Sequence, residues 1–396
     1  MVKLFSITGK SISGEWGKED DTGTGVPILR TTNFTNDGKI DFSNVVTRKL
    51  SKSNIKNKYL KPGDIIIEKS GGSDNQPVGR VVYFNDKPET YLFNNFTGLL
   101  RVKDTAKWNP QYVFWSLFAN YRQGRTILYQ NRTTGLHNLR TDAYIKDTNI
   151  YARNLCDQKK ISDSLNKSKL IIEKQQKKLN KLDELVKARF VEMFGNYPNN
   201  EKSWPVGKIK DLVLDVRYGT SKKATDGTSG KYPYLRMNNI TYDGNLNLSD
   251  LKTIDLPLED LEKYTVQKGD LLFNRTNSRD LVGKTCVYDL DKTMVLAGFI
   301  IRVRLDTTVA NPVFVSKFLN TGYSKLLLRT ICKNASGQSN INAKEMQNIK
   351  IYVPPISLQN EFANFVQQVD KSKVAVQKSL EETQTLFDSL MQKYFG

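Results

Sequence analysis

The sequence predicts an internally duplicated mixed α/β protein, two globular domains separated by two long helices that form an antiparallel coiled coil. Three observations predict it. Short motifs recur in one order, at a nearly constant offset, along the whole chain. Each half carries strand-like runs followed by a helical stretch. Each half then ends on a long segment with heptad-spaced apolar residues.

Paired motifs carry the duplication. Val26-Pro27-Ile28-Leu29-Arg30-Thr31-Thr32-Asn33-Phe34 is answered by Tyr232-Pro233-Tyr234-Leu235-Arg236-Met237-Asn238-Asn239-Ile240, with Pro, Leu, Arg and Asn recurring 206 residues apart. Gly38 and Gly244 keep that offset, as do Gly63-Asp64-Ile65 and Gly269-Asp270-Leu271. Val78-Gly79-Arg80 answers Val282-Gly283-Lys284 at 204, and Asn109-Pro110 answers Asn311-Pro312 at 202. Gly135, Asn138 and Leu139 match Gly337, Asn340 and Ile341 at 202, and Ile150-Tyr151 matches Ile351-Tyr352 at 201. A slow drift with order preserved is what small insertions in loops produce.

Within the first half, Asp64–Ile67, Gly79–Tyr83 and Leu99–Val102 read as strands bounded by Gly, Asn and Asp. In the second, Asp270–Phe273 and Phe299–Val303 play that part. Helical stretches follow at Tyr112–Tyr121 and Val313–Leu328, and a last strand ends near Ile150 or Ile351. The boundaries predicted are a domain over 1–153, a central helix over 154–197, a second domain over 198–355 and a C-terminal helix over 356–396.

The first long helix is expected from about Cys156 to Phe194, closed by Gly195 and Pro198. Its seam is Ile161, Leu165, Ser168, Ile172, Gln175, Leu179, Leu182 and Val186, spaced alternately four and three. The second is expected from about Leu358 to Tyr394, after Pro354-Pro355 and with Ser357 as candidate N-cap. Its seam is Phe362, Val366, Val369, Lys373, Val376, Leu380, Thr383 and Phe387. Ser168 and Gln175 interrupt the first seam where Val369 and Val376 stand in the second, so each helix is the natural partner of the other. Two related halves pair most simply about a twofold axis, which makes the pair antiparallel. Each helix would span about 60 Å at 1.5 Å per residue.

The chain has 396 residues with 38% hydrophobic and 10% aromatic content, enough to bury real cores. Its formal net charge of +19 points to a polyanionic partner, because neutralising phosphates releases counterions. Cys156, Cys286 and Cys332 are too few and too scattered for a disulfide framework, and a single histidine argues against a His/Cys zinc site. No apolar run approaches the ~20 residues a bilayer span needs, and MVKLFSITGK is too short-cored for a signal peptide, so a cytoplasmic location without membrane contact is expected.

Two basic reading heads on a spacer form a caliper for double-stranded DNA, which presents the same groove face about every 34 Å. The order mixed region, long helix, mixed region, long helix resembles the specificity subunit of type I restriction–modification systems over essentially the whole chain. So do the Leu-Arg-x-x-Asn segments, the Lys-x-Gly-Asp-like strands at Lys61–Ile65 and Lys268–Leu272, and the strand-Pro-Pro-helix at Ile351–Gln359. The first half departs from this with Tyr151-Ala152-Arg153-Asn154. The resemblance implies two target-recognition domains, each reading one half of a bipartite, asymmetric site. It also implies helices that dock two methyltransferase subunits using S-adenosylmethionine for adenine N6 methylation. Restriction–motor subunits would use ATP with Mg. No cofactor, metal or catalytic residue is implied for this chain. A stand-alone tandem DNA-binding regulator, or a scaffold binding nucleic acid loosely, shares the same gross features.

Catalytic signatures are missing. There is no G-x-x-x-x-G-K-[ST], and Thr22–Pro27 lacks the later glycine of a dinucleotide fingerprint. Neither Asn196-Tyr197-Pro198 nor Val353-Pro354-Pro355 fits the Asp/Asn-Pro-Pro-aromatic motif of adenine methyltransferases. Asp64–Lys69 resembles a metal-nuclease strand, but its equivalent at Asp270–Arg275 has no Glu.

Base edges are read by Arg, Lys, Asn and Gln, and phosphates are held by Lys and Arg. Three clusters are candidates. The first is Arg30 and Asn33 with Arg236, Asn238 and Asn239, which are either DNA contacts or structural anchors. The second follows the Gly-Asp strands in expected loops: Lys69 and Ser70, with Arg275, Asn277 and Arg279. The third is Asn131, Arg132, Thr133, His137 and Asn138, answered by Lys333, Asn334, Gln338 and Asn340. The aromatics of Tyr112–Phe118 read as helix core.

Overall fold

The computed structural model describes residues 1–50, 55–133, 136–225, 229–335 and 337–396. It divides into two compact units, residues 1–176 with 378–396, and residues 177–377. Each unit therefore holds one globular head and a stretch of both long helices.

In the first unit a four-stranded antiparallel sheet runs in the order Ile12–Ser13, Thr97–Leu100, Ile65–Glu68, Val81–Tyr83. A second sheet places Val26–Leu29 between Val46–Lys49 and a parallel neighbour, Leu92–Phe93. The second unit repeats both. Val213–Tyr218, Ile300–Leu305, Leu271–Asn274 and Thr285–Val287 form one sheet, and Tyr232–Leu235 lies between Lys252–Ile254 and the parallel Met294–Leu296 in the other. Even the register repeats, with Ile65 opposite Leu100 and Leu271 opposite Val303. Ile65, Ile66 and Ile67 are fully buried, each stabilising the head by about 1.5–3 kcal/mol.

The strand-opening aspartates are structural. The backbone N–H of Lys61 donates to Asp64 and that of Gln267 to Asp270, both at 2.8 Å, closing the turn before each strand. Arg101 and Arg304 then pair with these buried carboxylates at 2.6 and 3.1 Å. Gly63 and Gly269 occupy the turns with φ of 99° and 91°, a region glycine enters without strain.

The first long helix covers Leu155–Phe194 and the second Ile356–Phe395. Ser357 thus falls inside the first turn instead of capping it, and Pro355 supplies the carbonyl that the N–H groups of Leu358 and Gln359 reach. In the first half Asn154 does the capping, accepting from the N–H of Asp157 at 2.8 Å. Despite their different sequences, Leu155 and Ile356 keep the 201-residue offset.

The helices pack start against end within each unit, an antiparallel arrangement. In the first, Ile161 and Leu165 join Phe387, Met391 and Phe395 in the head's core. In the second, Phe362 and Val366 join Val186, Phe190 and Phe194. These sets correspond one to one at the 201-residue offset. Val369 and Val376 are buried, while Ile172, Leu179, Leu182 and Leu380 are half-buried. The polar seam residues find partners: Gln175 donates to Ser379 at 2.7 Å, and Lys373 pairs with Asp183 at 2.5 Å.

Two local expectations need correction. The stretch Val313–Leu328 is two helices, Pro312–Leu319 and Gly322–Ile331, because Thr321 caps a new start by accepting from the N–H of Ser324. The segments expected as loops after the Gly-Asp strands contain strands, Ser70–Gly72 and Thr276–Asn277. Their polar residues hide the alternation that betrays a half-buried strand, but an edge position in a small sheet tolerates them.

Candidate nucleic-acid interface

Those two short strands unite the second and third candidate clusters. In the first unit Ser70–Gly72 pairs with the hairpin of Gln130–Thr133 and Leu136–Leu139, placing Ser70 opposite Asn138 and Gly72 opposite His137. In the second, Thr276–Asn277 pairs with Gln338–Asn340, itself paired with Lys333–Ala335. Each head therefore carries one three-stranded sheet rich in amides and cations.

Asn131 is exposed and Asn138 half-buried on this sheet. Gln338 is exposed, and Lys333 is exposed but paired with Glu345 at 2.6 Å. Arg275 donates to Asn340 Oδ1 at 3.0 Å and lies over the Tyr218 ring at 4.8 Å, so it is already oriented. Asn340 also donates to Thr276. Asn277 is half-buried and accepts from the N–H of Ser278, while Arg279 is exposed and reaches the carbonyl of Arg329. The backbones of Arg132, Thr133 and Asn334 lie in the hairpins, and their side chains are outside the described residues, as are Thr134, Gly135 and Ser336. His137 sits within the fold, 8% exposed, bonded through Nδ1 to Gln130 and facing Asp74 through Nε2 at 3.4 Å.

The first cluster builds the scaffold. Asn33 is buried, and its amide donates to the carbonyls of Asp41 and Asn44 while its oxygen accepts from the N–H of Arg30. Asn239 repeats this with Asn247, Asp250 and Arg236. Arg30 and Arg236 reach the carbonyls of Asn44 and Asp250. The Arg-x-x-Asn segments thus clamp a loop in both heads, and only Asn238 of this group is exposed.

Beside the first sheet lies an open cleft of about 640 Å³ lined by Lys10, Ser13, Lys69, Ser70, Asn138 and Arg140 among others. Burial holds the Lys69 ammonium below the usual lysine range, against the opposing charge of Asp142. Lys69 is anchored to Ser13 at 3.3 Å. A preset cation in a polar cleft suits a phosphate or a purine edge.

One repeated pair gave no signal among the candidates. Gln158 and Gln359 are fully buried at the helix starts. Each amide oxygen accepts from the N–H of Asn109 or Asn311, and each amide nitrogen donates to two carbonyls. They stand 201 residues apart and lock each helix to its head.

The chain matches the type I restriction modification DNA specificity domain twice, over residues 4–184 and 201–383. It belongs to that family. The specificity subunit of the Escherichia coli type I restriction enzyme EcoKI is 24% identical over 93% of this chain and 82% of its own length. A putative specificity subunit of the MjaX enzyme of Methanocaldococcus jannaschii is 27% identical over 49% of the chain and 46% of its length. In structure, the S subunit of the type I system of M. genitalium superimposes with a TM-score of 0.60 at 15% identity, covering 100% of this chain and 95% of that one. The two matches coincide with the duplication, so this specificity protein carries one DNA specificity domain per half. In it the nuclease-like Glu68 is buried and held by Arg80 at 2.8 Å, with the guanidinium also bonding the carbonyls of Thr31 and Phe34. No helix among the described residues is long and apolar enough to cross a membrane.

Proposed function

We propose that this specificity subunit reads a bipartite, asymmetric DNA site, one part per head, and acts only through partners. The observation that carries the reading is the three-stranded sheet. Both heads build it at the same place from the same backbone, yet equivalent positions carry different residues: Lys69, Gly71 and Asn131 in one, Arg275, Asn277 and Lys333 in the other. A common frame with divergent polar faces is what two readers of different sequences require.

The long helices would dock two methyltransferase subunits, with motor–nuclease subunits completing a restriction enzyme. S-adenosylmethionine, ATP and Mg would then be bound by those partners and the adenine methylated there, leaving this chain without chemistry of its own. The test is a genome-wide map of N6-methyladenine with and without the gene. Loss of one motif, two short defined parts around a fixed undefined gap, supports the reading. An unchanged map with active methyltransferase subunits present overturns it in favour of a stand-alone binder.

A further inference from the structure

Both heads show one aromatic ring to solvent at the same backbone position. Phe96 is 51% exposed and Phe299 45%, and they stand 203 residues apart. Each is third in a four-residue turn. The N–H of Thr97 donates to the Asn94 carbonyl at 3.1 Å, and that of Ile300 to the Ala297 carbonyl at 2.9 Å. The turns are anchored alike, by the N–H of Asn94 on Leu29 and that of Ala297 on Leu235, both at 2.9 Å. The carbonyl of each phenylalanine accepts the N–H of the cation that leads into the reading sheet, Lys69 at 2.8 Å and Arg275 at 2.9 Å.

Folding does not account for these rings. Neither belongs to a hydrophobic core. A single exposed apolar side chain is ordinary. Two at one position are less so when their surroundings have diverged: Asn95 is answered by Gly298, Lys69 by Arg275, and Ser13 by Tyr218. Phe96 also lines the basic cleft with Lys10, Lys69 and Arg140, so a ring is set among cations that face a polyanion. That combination, charges for phosphates and an aromatic face among them, fits bases approached through a groove.

We propose that Phe96 and Phe299 are the apolar base contacts of the two heads, each ring pressing on the bases of its own half-site while the neighbouring cations hold the backbone. This rests on the DNA-reading function above. The experiment uses the assembled methyltransferase complex, with Phe96→Ala, Phe299→Ala and the conservative Phe96→Leu. Binding is measured on the mapped duplex, on duplexes altered in one half, and on unrelated DNA, across a range of salt. Each alanine variant is expected to weaken binding to the mapped duplex about ten- to hundredfold. Binding to unrelated DNA, its salt dependence and the melting temperature should stay unchanged. Phe96→Ala should lose discrimination at one half-site and Phe299→Ala at the other, with Phe96→Leu keeping part of it. Wild-type affinity in both alanine variants overturns the proposal, and so does an equal loss on unrelated DNA or a lowered melting temperature. A wild-type complex blind to both half-sites sinks the DNA-reading function itself, whatever the variants do.

Discussion

The two heads solve one internal problem differently. In the first, buried Glu68 is matched by Arg80, whose guanidinium also ties down two loop carbonyls. In the second, the equivalent residues are Asn274 and Lys284, and Lys284 instead donates to the carbonyl of Met237 at 3.0 Å. Asn274 is fully buried, with neither amide atom hydrogen-bonded. Both arrangements fix the strand end to the Arg-x-x-Asn loop. What the fold demands is a bridge from strand to loop, not a particular pair of charges.

The comparison can be pressed hardest at the helix anchors. Phe387→Ala in the first unit and Phe362→Ala in the second remove buried rings packed against Trp115 at 5.7 Å and Phe190 at 5.4 Å. Each should lower stability by about 3–5 kcal/mol. Hydrogen exchange should show the loss in the first unit for Phe387→Ala and in the second for Phe362→Ala. Loss in the opposite unit would contradict the packing.

The strand-end bridges should then respond unequally. Arg80→Ala strands a buried carboxylate and is expected to cost about 3–5 kcal/mol in urea denaturation. Adding Glu68→Gln should recover part of it. Lys284→Ala leaves no buried charge behind and should cost about 1 kcal/mol. Equal losses would mean that the Glu68 charge is not the deciding feature.

The loop clamps should behave alike. Asn33→Ala and Asn239→Ala each remove three hydrogen bonds made by a buried amide and should lower stability by about 1–3 kcal/mol, measured by thermal denaturation. DNA affinity of the fraction that remains folded should be unaffected, which separates the clamp from a base contact.

A pH-dependent effect belongs to the second head alone. Burial holds Lys325 at about 8, and its ammonium lies over the Tyr242 ring. An unfolded lysine titrates near 10.4. Between pH 8 and about 10.4 the unfolded chain binds more protons at this site, so its contribution to stability rises with pH across that window. Lys325→Met should flatten that rise in stability-versus-pH curves and leave the slope below pH 7 unchanged.

Much of this was legible in the chain. The recurring Gly-Asp and Arg-x-x-Asn motifs revealed the duplication, and the four–three spacing of Ile161 through Val186 revealed the helix seam. The pairing of Gln158 and Gln359 was hidden because a buried amide leaves no apolar pattern. The three-stranded sheet was hidden for a related reason: Ser70–Gly72 and Thr276–Asn277 are too short and polar to alternate, and only tertiary pairing makes them strands. Asn33 shows the converse limit, since an asparagine that clamps a loop and one that reads adenine look the same in sequence.

The central claim is that each head reads its own part of one site through a shared frame. Its most direct test replaces the first head, residues 1–150, with a second copy of residues 201–351, and maps adenine methylation in cells that hold the partner subunits. The account predicts a motif with the same defined bases at both ends and one of the original parts gone. Retention of the original two-part motif would contradict it.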